Sequence, residues 1–256
     1  MARLGFIGTG EITSAMVRAL AGQGHQILIS PRNAATAATL AAEVAGVTIA
    51  PNEAVVAGSD VVFLCLLARV AETVLPGLPF RAGQSVISVM VDAPLAKLRA
   101  LCAPATDIAI TIPLPPIVQG GCPLPVYPPS PVLEALFGAK NPVIPLASET
   151  ALAAHLGVSA ICSPILDQLI TAAGWLAAHT GDTPAAEAYV AAMIRCYLPE
   201  RARPGELAAA LAALSTEGGL NATLRGAMQG AKTEMTRGLT GFHTRLGLGE
   251  AQGPKA

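Results

Sequence analysis

The chain has 256 residues, room for one large or two modest domains. Apolar residues make up 52 % of it and charged residues only 13 %, which excludes a disordered chain and predicts more buried surface than usual, shared between subunits. The net charge of −1 comes with scattered basic residues and no aromatic-interleaved basic patch, which argues against nucleic acid as a partner.

The predicted elements begin almost at Met1. An apolar run, Leu4 to Ile7, turns through Gly8, Thr9 and Gly10 into an amphipathic helix from Glu11 to Gln23, with Ile12, Met16, Val17 and Leu20 on one face. A second apolar run, Ile27 to Ile29, breaks at Ser30, Pro31, Arg32 and Asn33. This strand–turn–helix–strand unit is where a nucleotide-binding βαβ fold places its pyrophosphate, with Gly8 and Gly10 giving a tight turn and close backbone approach. The helix amides then face the anion. The third small position is Thr13 rather than glycine, so the pattern is a relaxed one. Glu11 is the odd member, because a carboxylate beside a pyrophosphate is unfavourable unless it turns away to cap the helix or to meet a ribose.

At the second turn, an NAD-binding fold usually carries Asp or Glu for the ribose 2′-hydroxyl. Here Ser30, Arg32 and Asn33 stand instead, a set suited to a 2′-phosphate, so the expected cofactor is NADP(H). The competing reading is a Ser-Pro turn with a solvated arginine.

Further on, the sequence predicts a helix from Ala34 to Ala45, a strand at Val47–Ile49, a helix from Asn52 to Ala57 and a doubly buried strand from Val61 to Leu66. A helix over Val70–Leu75, a strand over Ser85–Val89, a helix over Leu95–Leu101 and a strand over Asp107–Ile112 continue the rhythm of a doubly wound α/β sheet. Pro113, Pro115 and Pro116 end the sixth strand, and two more strands, Cys122–Val126 and Val143–Ile144, flank a helix over Pro131–Phe137. The uncharged stretch from Ile108 to Leu133 is long enough to span a bilayer, but prolines from Pro113 to Pro131 interrupt it, so no membrane span is expected there.

From residue 148 onward no strand is evident, and alanine and leucine recur at helical spacing with breaks at Thr180–Pro184, Pro199–Pro204 and Ser215–Gly219. The expected organisation is a nucleotide-binding domain over residues 1–147 and an all-helical domain over 148–256, with a frayed tail from Glu250 to Ala256. Thr150–Leu166 and the run after Asp167 to Gly181 carry no acidic or basic charge apart from histidine, so these helices are expected to be apolar on all sides and to bury themselves in a homodimer or higher homo-oligomer. Five separated cysteines without zinc spacing, and a first strand that leaves no room for a leader, give a cytoplasmic protein as the expectation.

The segment Gly5 to Gly10, the Ser30-x-Arg32-Asn33 turn, the strand Val62 to Leu64, the Pro113-x-x-Pro116 turn and Gly218-Gly219 together resemble the pyrroline-5-carboxylate reductase family, in the same order over nearly the whole chain. The resemblance implies a Rossmann domain binding NADP(H), with Gly8, Thr9, Gly10, Glu11, Ile12, Ser30, Arg32, Asn33 and Leu66 around the cofactor. It also implies a helical dimerisation domain that builds a substrate site, and reduction of a cyclic imine to a secondary amine. The departures fall on the substrate side. Leu67-Ala68 replaces the family's Lys-Pro, Leu114 an asparagine, and Ala160-Ile161-Cys162-Ser163-Pro164 a Ser-Gly-Ser-Gly-Pro segment. Glu217-Gly218-Gly219-Leu220-Asn221 replaces Pro-Gly-Gly-Thr-Thr, with Asn221 where a family threonine meets substrate.

Hydride transfer to C=N needs a positioned acceptor and a proton for nitrogen. The substrate-binding candidates are Thr216, Gly218, Gly219, Leu220 and Asn221, where glycines let backbone amides form an anion nest. The catalytic candidates are Asn221, Ser163 and His155; against them stand an ordinary helix cap for Asn221 and a satisfied structural histidine. Two rivals remain. A β-hydroxyacid dehydrogenase usually wants a lysine in the first helix of its second domain, and none occurs between Lys140 and Lys232. A non-catalytic NADP-binding paralogue would explain the lost substrate-side motifs.

Overall fold

The computed structural model describes residues 1–198 and 203–248. The expected Glu250–Ala256 tail, and residues 199–202 of the expected Pro199–Pro204 break, lie outside the described residues. By contacts the chain divides into two compact units, Met1–Leu156 and Gly157–Ala256.

The first unit is an eight-stranded sheet in the order β3-β2-β1-β4-β5-β6-β7-β8. Its strands are β1 (Arg3–Ile7), β2 (Gln26–Ile29), β3 (Val47–Ile49), β4 (Val61–Leu64), β5 (Ser85–Ser88), β6 (Asp107–Thr111), β7 (Leu124–Tyr127) and β8 (Val143–Pro145). The connecting helices are α1 (Glu11–Ala19), α2 (Ala34–Glu43), α3 (Asn52–Gly58), α4 (Ala68–Val74), α5 (Leu95–Leu101) and α6 (Pro131–Phe137). All strand pairs are parallel except β6–β7. That reversal has a local cause. A parallel return needs a crossover of a dozen or so residues, usually a full helix. After β6 the chain has only a short 3-10 turn, Pro115–Gln119, closed by Gly120 and Gly121 at φ +83 and +73. The sequence alone predicts no element between β6 and β7.

Side-chain alternation sends each strand's residues to two cores. Leu4, Phe6 and Phe63 enter the cluster shared with α1, α2 and α6, whereas Ile7, Val62 and Leu64 enter the cluster shared with α3, α4 and α5. Phe6 stacks on Phe63 at 4.6 Å between ring centres, and Phe137 meets Phe63 edge-on at 6.2 Å. With Phe6, Phe63, Val62 and Leu64 wholly buried, the β1–β4 pair is the rigid centre of the sheet. Buried polar groups also find partners at helix ends. Gln84 Nε2 donates to the carbonyls of Val56 and Ser59, both at 2.8 Å, and so satisfies the end of α3.

The second unit is helical: α8 (Cys162–Thr180), α9 (Thr183–Tyr197), α10 (Glu206–Ala213), α11 (Leu220–Ala227) and α12 (Gln229–Leu246). Helix α7 (Glu149–Ser159) belongs largely to the first unit, because Leu152 packs into its core and Glu149 Oε1 accepts the Leu95 amide at the start of α5 at 2.7 Å. The contact boundary therefore falls inside α7, later than the change in composition near residue 148.

Among the described residues of the second unit, only Ala173, Ala186 and Val190 are buried hydrophobics. Ile170 and Trp175 are each 66 % exposed. Glu149–Thr180, with an 18-residue window of mean hydropathy 1.4, is long and apolar enough to cross a membrane by length and composition only. The same surplus suits a helix whose apolar faces meet another subunit.

Candidate functional site

The sheet order reverses direction between β1 and β4, and in open α/β sheets ligands bind outside the carboxyl ends of the strands at such a point. Two cavities meet there. The first, of about 480 Å³, is lined by the turn Gly8 to Thr13, by Arg32 and Asn33, and by Cys65, Leu66, Leu67 and Val89 beyond β4 and β5. The second, of about 360 Å³, lies towards β2 and β3. Ser30, Arg32, Asn52 and Glu53 are its polar lining, and Ile7, Leu66 and Val74 are among its apolar lining. Gly8, Arg32 and Leu66 line both.

The turn between β1 and α1 is held from three sides. The Gly8 amide donates to Ser30 Oγ at 2.8 Å, Thr9 Oγ1 to the Ser30 carbonyl at 2.5 Å, and Thr13 Oγ1 to the Gly8 carbonyl at 2.7 Å. Gly8 has φ +95, and a Cβ there would meet the Cys65 carbonyl oxygen at 2.2 Å. Gly10 is different: a Cβ there would meet nothing within 4 Å. Nothing inside the protein requires a glycine at position 10, so the space it leaves is available to a ligand. Gly10 is also the N-cap of α1 and gives no side-chain cap, which leaves first-turn amides for an anion.

The three residues expected at the 2′-phosphate take different parts. Ser30 is buried and its Oγ already accepts the Gly8 amide. Asn33 Oδ1 accepts the Thr36 amide at 3.3 Å and caps α2. Arg32 is exposed, lines both cavities and has no ion pair among the described residues. Its guanidinium is thereby left for an anion at this site. Glu11, the first residue of α1, is exposed and lines the first cavity beside Ile12. Burial pushes the Cys65 thiol up to about 12, despite a hydrogen bond with Thr13 that acts the other way, so it is no nucleophile at neutral pH. The sequence reading missed Asn52 and Glu53. The rule that ligands sit beyond strand carboxyl ends would have found them, since they follow β3 directly.

The helical unit has its own cavity, of about 610 Å³, with Asn221, Arg225, Gln229 and Lys232 on its polar side and Leu211, Leu214, Leu224 and Met228 on its apolar side. Thr216, Gly218, Gly219 and Leu220 do not line it; the first three form the turn before α11, in which the Gly219 amide donates to the Thr216 carbonyl at 3.0 Å and Gly218 takes φ +71, and Leu220 opens the helix. Ser163, exposed in the first turn of α8, shares no cavity with Asn221. His155 is half-buried, and its Nδ1 is 2.8 Å from the Ala151 carbonyl one turn back.

Residues 3–92 match the family model described as NADP oxidoreductase, coenzyme F420-dependent. No curated protein sequence matches the chain. Among solved structures, the chain is similar to a Plasmodium falciparum pyrroline carboxylate reductase with NADP bound, at 13 % identity and a TM-score of 0.77, over 96 % of this chain and 97 % of that one. A pyrroline-5-carboxylate reductase from Coxiella burnetii matches at 17 % identity and 0.76, over the same shares. An Aspergillus terreus imine reductase in complex with NADPH4 and dibenz[c,e]azepine matches at 19 % and 0.56, over 98 % of this chain and 89 % of that one. At these identities the likeness carries the fold: a Rossmann-type sheet followed by a helical unit, as in the pyrroline-5-carboxylate reductases.

Proposed function

We propose that the protein is an NADP(H)-dependent oxidoreductase that reduces a cyclic imine to a secondary amine. The observation that supports this most is the pair of cavities meeting at Gly8, Arg32 and Leu66 on the switch point of the sheet. Their arrangement suits a dinucleotide, with the pyrophosphate over Gly8–Gly10, the adenosine half towards Arg32 and Asn52, and the nicotinamide half towards Leu67 and Val89. When bound, the reduced nicotinamide supplies hydride to the imine carbon. The chain's own residues bind and orient: α1 amides and Arg32 take the phosphates, while Leu66, Leu67 and Val89 keep water from the reacting end. An imine that arrives protonated carries its own proton to the product nitrogen, so no strong protein acid is required.

The test is NADPH consumption by the purified protein with a panel of cyclic imines, set beside the matching keto acids. Turnover with at least one imine is expected, and none with the keto acids. Tight NADPH binding without any imine turnover would leave the non-catalytic reading standing instead.

The same reading includes a homodimer or larger assembly through α8 and α9, supported by the exposed Leu166, Ile170, Trp175 and Tyr189. Light scattering is expected to return at least twice the 25.8 kDa chain mass, and Ile170→Glu with Trp175→Glu to lower it. A wild-type monomer would refute this assembly.

A further inference from the structure

The cavity towards β2 and β3 holds a carboxylate that the phosphates leave unused. β2 and β3 run parallel with Ile29 level with Ile49, and the Ala50 amide donates to the Ile29 carbonyl at 3.0 Å. The chain therefore leaves both strands side by side. The turn that carries Arg32 and the one that carries Pro51, Asn52 and Glu53 line the same cavity. Among the described residues, that lining has one cation, Arg32, and one carboxylate, Glu53. The two do not pair with each other, and Glu53 has no other ion pair among the described residues. Each is open to a different group of a ligand.

A carboxylate only accepts hydrogen bonds, so the group it meets must be a donor. In the adenosine half of NADP(H) the ribose 2′-oxygen carries the phosphate. Two donors remain, the ribose 3′-hydroxyl and the exocyclic amine of the base. The hydroxyl lies next to the phosphate, where a carboxylate is repelled. The amine lies at the far edge of the base, and Ile7, Leu66 and Val74 suit the base's flat faces. We propose that Glu53 accepts from the exocyclic amine of adenine and so selects the base of the cofactor. Asn52 beside it does not discriminate, because an amide both donates and accepts and can turn to fit either kind of base. This role for Glu53 rests on NADP(H) occupying the two cavities, as proposed above, and is independent of the substrate.

Fluorescence titration of the full chain with NADPH and with its hypoxanthine analogue, deamino-NADPH, tests this. In the analogue a carbonyl oxygen replaces the amine. The phosphates, riboses and fluorescent dihydronicotinamide are the same, so the ratio of the two constants isolates the base. The wild type is expected to bind NADPH about tenfold tighter or better, since the analogue sets two acceptors against each other. Glu53→Gln, whose amide also donates, is expected to bring the two constants close together, and Glu53→Lys to favour the analogue. Arg32→Ala is expected to weaken both cofactors and keep the wild-type ratio. Equal binding of the two by the wild type would overturn the proposal and leave the cofactor reading intact. So would a Glu53→Gln protein that keeps the wild-type ratio. Failure of the wild type to bind either one would sink the cofactor reading, and this role with it.

Discussion

Arg32→Asp is expected to weaken NADPH binding by about a hundredfold or more and to tighten NADH, so that the preference between them inverts. The size follows from two changes in the same place. A charge-assisted bidentate contact to the 2′-phosphate contributes about 1.5–3 kcal/mol. Its loss is joined by repulsion between the new carboxylate and the phosphate, whereas the same carboxylate accepts from an unmodified ribose 2′-hydroxyl. One residue is expected to decide the matter because its two neighbours are engaged. Ser30 and Asn33, the other members of the expected set, already serve the turn and the cap of α2. Arg32 has no ion pair among the described residues, so thermal stability without cofactor is expected to stay unchanged. Fluorescence titration with both cofactors reads the outcome, and an unaltered NADPH constant would show that this turn does not meet the phosphate.

That division of labour marks how far the sequence could be read. Residue types at Ser30, Arg32 and Asn33 announce an anion; only geometry tells which of them is spent on the backbone. Elements bounded by local chemistry were legible almost residue by residue. Ser130-Pro131 ahead of α6 is a helix start that needs no tertiary context. The antiparallel β7 was not legible, because strand direction depends on how the chain returns after Pro113 and not on the apolar pattern of Leu124–Tyr127. The helical unit shows the sharper limit. Its alanine–leucine periodicity predicts helices, but among the described residues those helices bury few large side chains within one chain, so periodicity alone does not choose which faces meet what. A family pattern singles out Asn221, whereas Arg225 and Lys232 join it only because the fold sets them along the same cavity.

Gly8 and Gly10 look equivalent in sequence, and their substitution separates fold from function. Gly8→Ala is expected to cost about 3 kcal/mol or more of stability. The new Cβ would stand 2.2 Å from the Cys65 carbonyl oxygen at a φ of +95. Neither strand can yield easily. The Cys65 amide donates to the Ile7 carbonyl at 2.8 Å, Ile7 is in register with Leu64, and the Gly8 amide and carbonyl are held by Ser30 and Thr13. Relief would have to pull β1 from β4 at the wholly buried centre of the sheet. Gly10→Ala meets open space at an ordinary negative φ of −107, so it is expected to leave stability within about 1 kcal/mol of wild type and to weaken NADPH binding where the backbone must approach the pyrophosphate. Denaturant unfolding and cofactor titration on the two variants give opposite expected patterns. A stable Gly8→Ala protein would mean that the β1–β4 contact is looser than its geometry. A Gly10→Ala protein with undiminished NADPH affinity would move the pyrophosphate away from this turn altogether.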